Sequence, residues 1–175
     1  GWAEFPVPSP DGRQIAYAWF NERAQRDLRV YSLATSSARV VYARDEVEYP
    51  QPFGWTPDGS HILVILARTD RANHIALVDV GTGSARVLKT MDWRSPQKLA
   101  LSPDGRYVAY GFHMSQKSTA VVLCSIESGE RWQVAEPVLQ DESPAFDPDG
   151  KYLYFLSASG FDPVRDVLDF AYGFP

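Results

Sequence analysis

The sequence predicts an all-β chain of four like sheets, and three observations carry that prediction. The tetrapeptides Ser9-Pro10-Asp11-Gly12, Thr56-Pro57-Asp58-Gly59, Ser102-Pro103-Asp104-Gly105 and Asp147-Pro148-Asp149-Gly150 recur at spacings of 47, 46 and 45 residues. Each is followed within three residues by an apolar, strand-like run. No helical period of useful length interrupts the 175 residues. A repeat of that length, with strands on both sides of a tight turn, is one blade of a β-propeller. The blades divide the chain at about 1-45, 46-91, 92-137 and 138-175, within a single domain.

Each element of the blade follows from local chemistry. In Pro-Asp-Gly, proline presets φ for the first corner of a type I turn, aspartate suits the second, and glycine takes the left-handed position that completes a bulged hairpin. Asp147 stands where the other copies have Ser or Thr, so it is expected to bond its own turn backbone as they do. The short apolar segments before the turns, around Phe5 to Val7, Phe53 to Trp55, Leu99 to Leu101 and Ala145 to Phe146, read as innermost strands. The runs after them, Gln14 to Phe20, His61 to Leu66, Tyr107 to Tyr110 and Tyr152 to Leu156, are nearly continuous in apolar residues, as strands covered on both faces are. Third strands follow at Leu28 to Leu33, Ile75 to Val80, Ala120 to Ile126 and Val167 to Tyr172. Fourth strands follow at Ala38 to Tyr42, Ala85 to Leu88 and Arg131 to Val134. The last blade is expected to lack its outer strand.

Composition sets limits on function. The net charge of −5 and the scattered 17 Lys and Arg argue against a nucleic-acid partner. No run approaches the ~18 apolar residues of a membrane span. The lone Cys124 lies in a third strand and reads as a buried thiol rather than a nucleophile. His61, His74 and His113 occupy unlike registers of their blades, so a three-histidine metal centre is not expected, and no cofactor is implied. The turn aspartates Asp11, Asp58, Asp104 and Asp149 have a complete local explanation and are expected to lie far apart. No Gly-x-Ser-x-Gly elbow is present.

Binding groups are therefore sought on the rim that gathers the connections between second and third strands and between successive blades. There Trp93 and Arg94, with Arg68, Arg71 and Glu46 nearby in the pattern, form the candidate partner-binding set, since an exposed Trp beside Arg is a plausible anchor for a peptide or protein. The alternative is local: Trp93 packs under its own loop and Arg94 pairs with Asp92.

The repeated Ser-Pro-Asp-Gly-Arg followed by aromatic and aliphatic residues resembles the blades of TolB-like proteins and of tricorn-type peptidases. The stretch from Ser143 to Ser157, with Phe161-Asp162-Pro163 and Gly173-Phe174-Pro175, is similar to a tricorn propeller blade. Pro50 to Gly59 and Met91 to Pro96 look more like TolB-type propellers, and the affinity changes near Tyr110 and Gly111. That change suggests a chimera or an excised fragment. The resemblance implies a non-enzymatic scaffold or interaction module, engineered or natural. Its alternative is a peptide-gating or substrate-docking propeller of a tricorn-like serine peptidase, whose nucleophile lies in another domain. Four blades leave two end faces uncovered, so a homo-oligomer is expected, with two chains forming an eight-blade ring.

Overall fold

The computed structural model describes residues 1–20, 26–91, 96, 98–115, 118–134 and 140–158. Three four-stranded antiparallel sheets follow one another. Blade 1 holds β1 (Trp2–Pro8), β2 (Gln14–Phe20), β3 (Arg26–Ser32) and β4 (Ser37–Tyr42). Blade 2 holds β5 (Val47–Trp55), β6 (His61–Arg68), β7 (Asn73–Asp79) and β8 (Ala85–Met91). Blade 3 holds β9 (Leu99–Leu101), β10 (Tyr107–His113), β11 (Thr119–Ser125) and β12 (Arg131–Gln133). Blade 4 contributes the hairpin of β13 (Gln140–Phe146) and β14 (Leu153–Ala158), tied to blade 3 by a parallel bridge from Thr119 to Gln140. Its expected third strand, Val167 to Tyr172, lies outside the described residues.

The turns form as their residues dictate. Ser9 Oγ donates to Asp11 Oδ1 at 2.6 Å, and the Gln14 N–H donates back to Ser9 Oγ at 2.9 Å. The same pair recurs at Thr56, Asp58 and His61 and at Ser102, Asp104 and Tyr107. Asp147 plays the part expected of it, its Oδ1 accepting the Tyr152 N–H at 2.7 Å. The turn glycines all have positive φ, between 68° and 72°. Successive turns are not far apart, however. The Gly105 turn rests on the Pro57 ring and the Gly150 turn on the Pro103 ring, because stacked blades bring equivalent turns into contact at the pitch of the stack.

The inner strands begin earlier than their apolar residues suggest, at Trp2, Val47 and Gln140. In blades 1 and 4 the reason is a bulge before a proline: Phe5 (φ 54°) and Ser143 (φ 55°) are left-handed, and the pairing register shifts there. The shift lets Glu4 and Glu142 rejoin the ladder beyond Pro6 and Pro144.

Two hydrophobic clusters join the blades. Ala16, Leu28 and Val30 of blade 1 pack with Ile62, Val64 and Leu66 of blade 2. Leu63, Ile65 and Leu77 of blade 2 pack with Val108, Tyr110 and Cys124 of blade 3. Burial raises the Cys124 thiol pKa, as expected of an inert packed thiol. The prediction of strands covered on both faces holds for β6 and for much of β10, which lie inside the stack. In β2, at the end of the stack, burial alternates. Polar bonds reinforce the joints: the Trp55 indole N–H donates to Val7 O at 3.0 Å, Arg39 to Val80 O at 2.8 Å, and Arg86 to Ile126 O at 2.9 Å. Arg39 and Arg86 hold equivalent places in outer strands; blade 3 has Trp132 at that place.

Candidate peptide-docking rim

At the rim where β2 ends and β1, β3 and β5 begin, six side chains from two blades converge. The Glu4 carboxylate accepts the Trp2 indole N–H at 2.9 Å and the Tyr49 hydroxyl at 3.1 Å, with Arg26 Nε at 3.9 Å. The Arg26 guanidinium lies over two rings, 4.5 Å from the centre of Tyr49 and 5.1 Å from that of Phe20. Trp2 stacks on Phe20 at 4.3 Å, and Phe5 meets Tyr49 edge-on at 5.7 Å. The register explains the convergence: Trp2 pairs with Phe20, which pairs with Arg26, so one end of three strands carries all three.

Trp2 and Phe5 remain 52% and 44% exposed, so the cluster is an open aromatic surface around a fixed ion pair. The Trp2 hydrogen bond is the largest influence lowering the Glu4 pKa, with the Tyr49 bond and Arg26 adding to it. Burial, then the bond to Glu4, pushes the Tyr49 phenol well above its ordinary value. The carboxylate is thus held ionised beside a cation and aromatic faces, an arrangement suited to gripping a peptide through stacking and polar contacts.

Of the residues expected from sequence, Arg68 and Glu46 lie on neighbouring backbone segments of blade 2, each engaged locally. The Thr69 N–H donates to Glu46 O at 3.1 Å, and Arg68 pairs with Asp70 at 3.3 Å. Arg71 is exposed and left-handed (φ 66°), held by its N–H to Arg68 O and by Asp70 accepting the Ala72 N–H. Trp93 and Arg94 lie outside the described residues. Sequence reasoning placed the connections that hold Arg26 and Tyr49 on this rim but singled out neither, and it missed Trp2, Glu4, Phe5 and Phe20; the available signal was the aromatics Trp2 and Phe5 flanking Glu4.

The opposite rim holds a hydroxyl, an imidazole and carboxylates close together. Ser60 Oγ is 2.7 Å from His61 Nδ1, and His61 Nε2 is 3.7 Å from Asp79 Oδ2. Ser60 Oγ also lies 2.8 Å from both Asp58 oxygens, which accept its proton. The Ser60 hydroxyl, donating to Asp58, is engaged as part of its own turn. A cavity of about 310 Å³ opens beside it, lined by Pro57, Asp58, His61, Arg86 and Asp104. Among the described residues no three His, Cys, Asp or Glu side chains gather as metal ligands.

Stacked four-stranded antiparallel blades define a β-propeller. The description of the tricorn protease second beta propeller domain matches residues 7–175. The chain belongs to that family. It is 34% identical over 119 residues to a putative tricorn-like protease C-terminal subunit of Sulfurisphaera tokodaii, covering 68% of this chain and 13% of that protein. It is 30% identical over 158 residues to the uncharacterized peptidase YuxL of Bacillus subtilis, covering 86% of this chain and 21% of that protein. The chain therefore spans a small part of each relative. In fold it is similar to TolB from Acinetobacter baumannii, with a TM-score of 0.76 at 17% identity over 92% of this chain and 39% of that one. It is likewise similar to the tricorn protease, with a TM-score of 0.73 at 22% identity over 92% of this chain and 16% of that one. One family match spans both sides of Tyr110 and Gly111, which gives no support to a junction there.

Proposed function

We propose that this propeller is a non-catalytic module of a tricorn-like peptidase that admits or orients peptide substrates, with the chemistry performed elsewhere. The observation that carries the reading is the family match over residues 7–175. The rim adds to it: aromatic faces at Trp2 and Phe5 offer sequence-tolerant contact, while Glu4, Arg26 and the exposed Arg71 offer polar grips for main-chain and terminal groups. Shallow surfaces of this kind suit a device that must release what it binds, since tight capture would stop passage. The earlier expectation of an engineered, free-standing scaffold gains nothing from the relatives, which are peptidases and TolB proteins.

The test is a binding titration with a degenerate pool of extended peptides. Weak, saturable binding is expected, reduced several-fold by Arg26→Ala with Trp2→Ala and by Trp93→Ala with Arg94→Ala. Wild-type protein that binds no peptide at millimolar concentration refutes the reading.

A further inference from the structure

The two joints between four-stranded blades close differently at the rim of the Pro-Asp-Gly turns. Where blade 2 meets blade 1, its outer turn is in contact, since a Cβ on Gly83 would collide with Val41 O, whereas a Cβ on the inner-turn Gly59 would have nothing within 4 Å. Where blade 3 meets blade 2 the pattern reverses. Gly105 of the inner turn rests on Pro57, and Gly129, the counterpart of Gly83, has nothing within 4 Å of an added Cβ. This joint is closed at its inner turn and open at its outer one, and the cavity of about 310 Å³ lies in the opening. A second cavity of about 270 Å³ continues it, with Arg86, Gly105 and Ile126 lining both. Each is near the lower bound of small-molecule sites, about 300 Å³.

The two lobes of this cleft differ in charge. Asp58 and Asp104 line the first, together with the apolar Pro57, Leu77 and Ile126. Hydrogen bonds within the turns hold both carboxyls below their ordinary range, so both are ionised at neutral pH. The bonds that fix Asp104 use its Oδ1. His61 also lines this lobe, its ring 2.7 Å from Ser60 Oγ and 3.7 Å from Asp79. Arg86, Arg106, Tyr107 and Glu127 line the second lobe, where cations outnumber anions. Arg86 Nη1 donates to Ile126 O at 2.9 Å, which fixes the guanidinium across the joint and uses one of its five N–H donors. Arg106 lies over the Tyr107 ring at 5.6 Å. The joint of blades 1 and 2 repeats the bridge with Arg39 and Val80 O, but Ser60 stands there in the place of Arg106, so the second cation is missing.

We propose that the cleft between blades 2 and 3 binds a free dipeptide as a zwitterion, its ammonium on Asp104 and Asp58, its N-terminal side chain against Pro57, Leu77 and Ile126, and its carboxylate on Arg86 and Arg106. Opposite charges in adjoining lobes, with an apolar wall in the first, match such a ligand end for end. Charged hydrogen bonds at both ends supply the affinity, and a blocked end forfeits one of them. The cleft lies on the rim opposite Trp2 and Glu4 and rests neither on that cluster nor on the peptidase reading.

NMR titration of the full, isotope-labelled chain with leucyl-glycine tests it. Saturable shifts are expected at the amides of Asp58, Gly105, Arg106 and Ile126. Acetylating the amine of the peptide, or amidating its carboxylate, should each weaken binding about tenfold, since each removes a charged hydrogen bond. Arg106→Gln should weaken leucyl-glycine by a similar factor yet leave its amide unaffected, and Asp104→Asn should do the same with the acetylated form as the insensitive partner. The blocked peptides are read on the wild-type chain, so the outcome does not depend on how well a variant folds. Absence of saturable shifts at these amides, shifts confined to the start of β1, or blocked peptides that bind as tightly as leucyl-glycine overturns the proposal.

Discussion

Replacing Gly105 with alanine probes two levels of the fold at once. Gly105 sits at φ +72°, where a Cβ is disfavoured, and the added methyl would lie 2.8 Å from Pro57 Cδ and 3.3 Å from Pro57 Cγ in the turn of the preceding blade. Left-handed backbone costs an alanine about 1–2 kcal/mol. Overpacking adds about 1–3 kcal/mol, toward the lower end here because the Pro57 turn is at the surface and can shift. Gly12 and Gly59 supply the control, with φ of +69° and +70° and nothing within 4 Å of an added Cβ. Gly12→Ala and Gly59→Ala should therefore show the backbone cost alone, and Gly105→Ala about 1 kcal/mol more. Urea unfolding read by tryptophan fluorescence measures all three, and the excess corresponds to roughly 2–4 °C in Tm for a chain of this size. An unchanged midpoint in Gly12→Ala would refute the turn assignment. Equal losses in Gly12→Ala and Gly105→Ala would refute contact between successive turns.

Three other perturbations follow the same logic. Ser102→Ala removes the acceptor for the Tyr107 N–H and the donor to Asp104, and should cost about 1–2 kcal/mol in the same assay, with Ser102→Thr restoring most of it. Trp55→Phe leaves Val7 O without its indole donor inside the joint between blades 1 and 2 and should cost about 1–3 kcal/mol by thermal unfolding. Asp58 is held down at about 2, first by the Thr56 hydroxyl and then by Ser60, so it favours the folded state above its ordinary value of 3.8. That contribution is lost as pH falls from 3.8 through about 2, and Asp11 and Asp104 act with the same sign. Asp58→Asn should flatten the acid limb of a stability-against-pH curve, and an unchanged slope would count against the turn hydrogen bonds.

The turns were readable in sequence because each is closed by its own residues: a Ser, Thr or Asp at the first position and a Gly at the fourth contain the whole explanation. The β6 interior was readable for a similar reason, since an unbroken run from Ile62 to Leu66 has only one environment that suits it. What escaped depends on distance between blades. No local pattern says that Gly105 will rest on Pro57, which is set by blade pitch. The extra length of β1 and β13 was hidden because a proline normally marks a strand boundary, whereas a left-handed Phe5 or Ser143 lets the strand resume beyond it. The rim cluster escaped for both reasons: Trp2 and Glu4 lie beyond that bulge, and Tyr49 arrives from the next blade, 45 residues after Glu4.

Hydrogen exchange with and without a saturating extended-peptide pool, read by mass spectrometry alongside the integrity of the peptides, tests the central claim most directly. The account predicts slowed exchange confined to the start of β1, the start of β5 and residues 68–72, with every peptide recovered intact. Protection elsewhere with none at this rim, or cleavage of the peptides by the purified chain, would contradict it.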